Sequence, residues 1–412
     1  MKKENIDFLK KLAKKTIDDC TFVKNVDYFN SNSDESILLP SGDEKYYSFW
    51  VRDCAMMAES NLIPDETLKK YILIIAAHGQ NGSEALFLDN GLIVPPFAIA
   101  DHINYDGKAV YFPGTYSTGS NQGNGDFGYY PPFCDNYYYV IMVCSYIKQS
   151  GDVGILKENV LDLTLEESIE YAFAGYNIDL ESDLCVSDSE RPTVDWGFVD
   201  AIKKSGKLLM ASILRYNAAK ALQSIFTNNQ DKSAYYQSKA EKIRDNIIST
   251  FYDSKTGWFF SATGIARQYD VWATAYAVFS GILENEKTLK ALYDAYIDKT
   301  AVSCGYVRHI LTDNDFSSTS AWENTKLSYN TYQNGGYWST PTGWYAYALF
   351  LYNGTTDILA DFINHTQKHE NEGAPFEWIN ADTADYSGLH YGTSGVLPYI
   401  GVSKILKKTI AN

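Results

Sequence analysis

No stretch of this chain approaches the ~18 consecutive apolar residues that a membrane-spanning helix needs. Met1 to Cys20 is Lys-rich and amphipathic and lacks the continuous apolar stretch of a signal peptide. It reads as a first helix, and a cytoplasmic location is expected. Basic residues are in short supply: 35 Lys plus Arg stand against 51 Asp plus Glu, a formal charge of −16. Nucleic acid and anionic membrane surfaces would repel such a chain and are not expected as partners. Cys-x-x-Cys spacing is absent. The six cysteines (Cys20, Cys54, Cys134, Cys144, Cys185 and Cys304) are scattered in the manner of reduced core residues rather than a disulfide or zinc framework. The six histidines show no metal-type spacing. His365 and His369 stand four apart, but no carboxylate completes a His-Glu-x-x-His pattern, so a solvated helix face is the expectation and neither metal nor cofactor is implied. Gly-x-Ser-x-Gly and phosphate-loop patterns are missing too. Nothing resembles a linker rich in Pro, Ser or Gly, and no charge block marks a border, so residues 1–412 read as a single domain.

What the chain does have is apolar and aromatic material. Hydrophobic residues make up 45% of it, and 33 Tyr, 20 Phe and 8 Trp bring aromatics to 15%. Tyr offers area and a hydroxyl together; many rings must be core, while those in Gly-rich polar segments would suit the faces of sugars. Apolar residues recur at i, i+3, i+4 spacing over Ile6–Cys20, Arg52–Asn61, Asp65–His78, Asn136–Gln149, Leu165–Phe173 and Leu208–Phe226. The same spacing runs through Lys232–Phe251, Asp270–Leu283, Glu286–Tyr296, Thr342–Leu351, Asp357–His369 and Thr393–Leu406. Alternating strands are few, with short pieces near Gly91–Val94 and Trp258–Ser261. The fold class is therefore all-α, built of helical hairpins as a closed ring or an open solenoid. Long aromatic connections at 101–133, 180–206, 303–343 and 370–392 are the candidates for a pocket on one face.

Four constellations in these connections could carry chemistry. Trp50-Val51-Arg52-Asp53 precedes a helical run; the Asp is either an N-cap and partner for Arg, or half of an Arg/Asp fork that grips sugar hydroxyls beside a Trp platform. Arg191 to Asp200 holds Asp195 and Asp200 on either side of Trp196 and Gly197. A carboxyl packed on a ring can be kept protonated, as a general acid requires. The plainer alternative is ordinary loop acids, with Asp200 as a cap. Gln333, Asn334, two glycines and Trp338 would let a ligand approach the backbone closely. Glu377 sits between Phe376 and Trp378, where a buried carboxylate needs a purpose, either catalysis or an ion pair with Arg52, Arg191 or Arg308. The Gly- and Tyr-rich stretch 113–132 reads as a rim or lid, with Asp135 behind it as a cap or a sugar contact.

Taken together these residues resemble the six-hairpin glycosidases of the glucoamylase, trehalase and rhamnosidase type. Trp50-Val51-Arg52-Asp53 is similar to the sugar-binding motif of their first hairpin. Asp195-Trp196 is placed like the general-acid loop, although Gly197-Phe198 stands where glucoamylases have acidic residues. Glu377 matches the usual position of the general base. The resemblance implies an (α/α)6 barrel of six hairpins, without the β-sandwich appendage of larger members, and an inverting hydrolysis of a terminal sugar. One carboxylic acid protonates the departing oxygen, and one carboxylate activates water across a gap of ~6.5–9.5 Å. It points to Asp195 as acid, with Asp200 in reserve, and to Glu377 as base. Trp50, Arg52, Asp53, Asp135 and Arg191 would hold the sugar, and Trp196, Gln333, Asn334, Trp338 and Trp378 would line the pocket. An acidic pocket suits a neutral sugar better than a uronic acid, although Arg52, Arg191 and Arg308 could still accept one. Rival readings are an inverting disaccharide phosphorylase, for which only Lys368 lies near Glu377 as a phosphate contact, an epimerase or unsaturated-uronyl hydrolase, and a non-catalytic glycan-binding protein on the same barrel.

Overall fold

The computed structural model describes the chain apart from residues 24–25, 29–30, 34–35, 39–47, 89–90, 105–106, 113–127, 318–327, 371–374 and 412. Most of the stretch 113–132, read above as a lid, therefore lies outside the described residues. Twelve α-helices are present among the described residues: α1 Lys3–Asp19, α2 Val51–Ala58, α3 Asp65–Ile74, α4 Phe133–Ser150, α5 Leu165–Ala174, α6 Leu209–Ile225, α7 Gln230–Phe251, α8 Val271–Phe279, α9 Glu286–Ile297, α10 Thr342–Asn353, α11 Asp357–Lys368 and α12 Gly392–Ala411. Each corresponds to one stretch of helical periodicity. The third passes into a π turn at Ile75–Gly79, which accounts for its longer apolar pattern.

The helices are of two kinds. Every residue of α2 and α8 is buried, and in α10 burial runs unbroken from Thr342 to Leu349. Helices apolar on all sides belong inside a fold. By contrast α7, largely polar, buries the single stripe Tyr236, Ala240, Ile243, Ile247 and Phe251, and α1 buries only Leu9, Ala13 and Ile17. These are outer helices with one face on the core. The inner helices α2, α4, α6, α8, α10 and α12 pack each on the next, and α12 packs back on α2, which closes the ring. The outer helices pair with them as hairpins, and the sixth pair is α12 with the N-terminal α1. This is an (α/α)6 barrel. Tyr137, Tyr138, Tyr139, Tyr276, Tyr345 and Tyr347 all lie buried on inner helices, so much of the tyrosine content is core rather than sugar platform.

Strands are confined to the connections. Near the start of α2, β1 (Ser48–Trp50) pairs with β2 (His102–Asn104), which pairs with β3 (Ala109–Val110). A second, five-stranded antiparallel sheet runs β4 (Val302–Ser303), β5 (Tyr306–Arg308), β6 (Tyr337–Trp338), β7 (Phe376–Ile379) and β8 (Tyr386–His390) in that order. It puts Trp338 opposite Trp378, with Glu377 the preceding residue on β7. All six cysteines are free, and all but Cys304 are buried. No helix among the described residues is long and apolar enough to cross a membrane.

Inner helices α10 and α12 approach closely where Gly343 meets Gly401. A Cβ on either would strike backbone atoms of the other, and backbone has little room to yield. Gly401→Ala should therefore lower the unfolding free energy by about 1–3 kcal/mol, read as a fall in the urea midpoint. A variant as stable as the parent would show that the contact is not tight.

Candidate active site

The loops that lead into the inner helices meet at one end of the barrel, and a buried guanidinium organises them. Arg52, in the first turn of α2, is only 5% exposed. Its Nη1 donates to Asp101 Oδ1 and, at 3.4 Å, lies against Asp135 Oδ1 in the first turn of α4. Asp101 is also bonded to His102 Nδ1 at 2.8 Å, and the His102 ring stacks on Trp50 with centroids 4.2 Å apart. Burial would push both carboxyls up. At Asp101 the combined pull of Arg52 and His102 outweighs it and holds the group below its ordinary value. At Asp135 burial wins and the carboxyl stands well above its ordinary value. Asp53 is raised as well, burial outweighing Arg52 and the hydrogen bond that its Oδ1 accepts from Tyr391. Arg52 Nε, Asp53 Oδ2 and Asp135 Oδ2 have no hydrogen-bond partner among the described residues.

The Arg52 guanidinium lies directly against Gly197, and no side chain would fit there. The loop that carries Gly197 thus runs over the cluster. Phe198 follows, its ring 5.6 Å from Tyr391 and 6.0 Å from Trp338. Tyr391, just before α12, interacts electrostatically with both Asp53 and Glu377. Glu377 is buried on β7, and Gly388 of β8 leaves room for its carboxyl. Tyr391 and Phe198 therefore connect the first-helix cluster to the neighbourhood of Glu377.

The two acids of the loop have opposite environments. Asp195 has a fully buried side chain; its Oδ2 accepts from Lys204 Nζ at 2.8 Å and its Oδ1 from the Ala211 amide at 2.7 Å. Lys204 also pairs with Asp270 at 3.4 Å, and Asp270 with His309 Nε2 at 3.1 Å. Burial alone would raise Asp270, but His309 and Lys204 hold it at about 2. Both oxygens of Asp195 are thus taken by hydrogen-bond donors inside a buried ion pair, and its side chain presents no surface to a ligand, which does not fit the expected place as general acid. Asp200 is only partly buried. Desolvation lifts its carboxyl to about 6, against the opposing effects of Gln333 and Arg52.

Other expected contacts resolve in the same way. Trp50, Arg52, Asp53, Asp135, Asp200 and Glu377 gather around the Arg52 and Tyr391 groups. Trp196 has no exposed surface and packs among Phe198, Trp272 and Trp344, so it offers no ring face to a ligand. Trp338, at 2%, is core as well. Asn334 is fully buried and spends its amide on the Phe316 N–H and on Asp315. Gln333 is fully buried and bonded to Asp200 and the Ala201 amide rather than open to a sugar. Arg191 is on the surface, stacked over Tyr129 and bonded to the Gly91 carbonyl. Trp378 is half-buried against Tyr332. Sequence reasoning passed over Asp101, Phe198, Lys204 and Tyr391. Only Tyr391, in a Gly- and Tyr-rich stretch, carried any signal.

No family model matches the sequence, and no curated protein matches it. Solved structures do match over nearly its whole length. A rhamnosidase from Klebsiella oxytoca with rhamnose bound aligns with a TM-score of 0.60 at 11% identity, over 97% of this chain and 64% of that one. A glucoamylase from Saccharomycopsis fibuligera aligns with a TM-score of 0.58 at 14% identity, over 98% of this chain and 96% of that one. The fold is that of the six-hairpin glycosidases. A glycosidase variant in complex with glucose shares it at a TM-score of 0.58 and 11% identity, over 98% of this chain and 99% of that one. The chain spans less than two thirds of the rhamnosidase and nearly all of the other two. At these identities the likeness is one of fold, and on this six-hairpin scaffold the residues around Arg52 must speak for themselves.

Lys204 gives the sharpest test of the ion-pair assignment. Lys204→Met would leave Asp195 and Asp270 buried without their cation, and should cost about 3–5 kcal/mol of stability in equilibrium unfolding. A variant of parental stability would return Asp195 to the list of acids free to react.

Proposed function

We propose that this chain is an inverting, exo-acting glycoside hydrolase that removes a terminal neutral sugar, with Asp200 as general acid and Glu377 as general base. One observation carries the reading: of the two acids in the loop, Asp200 is partly open to solvent and raised to about 6, whereas Asp195 is sealed against Lys204. A general acid must hold its proton near neutral pH and still reach the substrate. The likeness in fold to a rhamnosidase and a glucoamylase supports the same reading. Asp200 gives its proton to the glycosidic oxygen as the bond from that oxygen to the anomeric carbon breaks. Water attacks the same carbon from the opposite face and passes its proton to Glu377, so the product has the inverted anomeric configuration. The unpartnered atoms of Arg52, Asp53 and Asp135 suit the hydroxyls of the sugar. Three carboxyl groups around one guanidinium favour a neutral ring over an anionic one.

A screen of aryl glycosides and disaccharides, with and without inorganic phosphate, tests the class of reaction. Product anomer is read by NMR. Hydrolysis with inversion is expected; retention, or turnover only with phosphate, would overturn it. Asp200→Asn and Glu377→Gln should each lower kcat at least about 100-fold. In the parent, kcat should fall as pH rises through about 6, where Asp200 loses its proton. Full turnover by Glu377→Gln removes that residue from the mechanism.

The same shift has a stability sign. Between the ordinary aspartate value of 3.8 and about 6 the folded state holds the proton more tightly than the unfolded one, so the contribution of Asp200 to stability falls as pH rises through that window. Asp200→Asn should therefore be more stable than the parent at pH 7, by up to about 3 kcal/mol, and of similar stability near pH 4. Thermal unfolding at the two pH values checks both.

A further inference from the structure

We propose that Gln333 is a positioning residue for the general acid, fixing the Asp200 carboxyl by a two-point amide contact and leaving Oδ2 to carry the transferable proton; this rests on the assignment of Asp200 above. The Gln333 Nε2–H donates to Asp200 Oδ1 at 2.7 Å, and Gln333 Oε1 accepts the Ala201 N–H at 2.8 Å. One planar group thus holds both the acid's side chain and the amide that follows it. The amide cannot be reversed, because a flip would set oxygen against oxygen and N–H against N–H.

Gln333 is itself held. It has no exposed surface, and its backbone carbonyl faces His309 Nδ1 at 3.3 Å. His309 leads to Asp270, Asp270 to Lys204, and Lys204 to Asp195. Asp195 and Lys204 stand five residues before Asp200 and four after it. Both ends of the acid loop and the residue that grips its middle are therefore anchored to one buried network. The choice of an amide has a reason. A cation in its place would draw the proton off Asp200, whereas a neutral N–H orients the group and still lets burial keep it protonated. The other charged groups that act on Asp200 are Arg52 from α2, which lowers it, and Asp101, just before β2, which raises it.

The test compares Gln333→Met and the isosteric Gln333→Glu on two glycosides of the sugar found in the screen. One has an alkyl leaving group that needs the proton; the other is the glycosyl fluoride, whose departure depends on it far less. Both variants should lose about 10–100-fold in kcat on the alkyl glycoside and about twofold or less on the fluoride, with KM little changed. The alkaline limb of the alkyl-glycoside profile should move to higher pH, most in Gln333→Glu. An equal loss on both substrates, or a limb that stays in place, overturns the proposal. Carboxyl carbon NMR of aspartate-labelled protein reads the same titration without substrate. The Asp200 signal is assigned by its loss in Asp200→Asn, and it should titrate higher in Gln333→Glu. Should Gln333→Met fail to fold, the isostere alone decides. Asp200→Asn, run alongside, separates the two claims: full activity on the alkyl glycoside sinks the acid assignment, whereas a loss there with unchanged Gln333 variants sinks only the positioning role.

Discussion

Arg52 is the constraint on which the site depends. A guanidinium taken out of water must meet carboxylates, because the alternative is an unpaired buried charge. Asp101 meets it from a connection and Asp135 from the first turn of α4, and Gly197 of a second connection lies flat against it because any side chain would collide. Four segments far apart in the chain are thereby fixed relative to one another around a single planar cation. Its neighbours divide the protonation between them, with Asp101 held low and Asp135 held high.

The acid loop shows how environment separates two identical side chains. Asp195 is tied to a buried ammonium and a backbone amide; Asp200, five residues on, has an uncharged amide for company and burial enough to lift its carboxyl to about 6. Such a split in character between neighbouring carboxyls is how one fold supplies both structural and reactive acids. The scaffold around it has little freedom to shift for an ordinary reason, since α2, α8 and most of α10 are buried on every side.

Much of this was legible in the residues. The 3.6-residue period gave all twelve helices, because a helix on the core must repeat its apolar face. Trp50 to Asp53 stood out for its chemistry, and Glu377 for a carboxylate set between rings. Asp195 and Asp200 were not separable, because what distinguishes them is Lys204, and a lysine in a loop normally faces water. Trp196 and Trp338 look like subsite walls in a Gly-rich sequence, yet their rings turn inward to Trp272. The sheet from β4 to β8 escaped notice because its strands are two to five residues long, too short for an alternation to register. Tyr391 acquires its role only through partners in distant segments.

That last pairing has a temporal side. The hydroxyl that reaches Asp53 comes from a residue 338 positions further along, and the same stretch opens α12, the helix that shuts the ring against α2 and α1. Because α12 follows α11 in the chain, the apolar stripe of α1 has no partner until the intervening hairpins have been synthesised. The cluster around Arg52 and Asp53 is therefore completed only when the stretch that opens α12 arrives, rather than grown step by step.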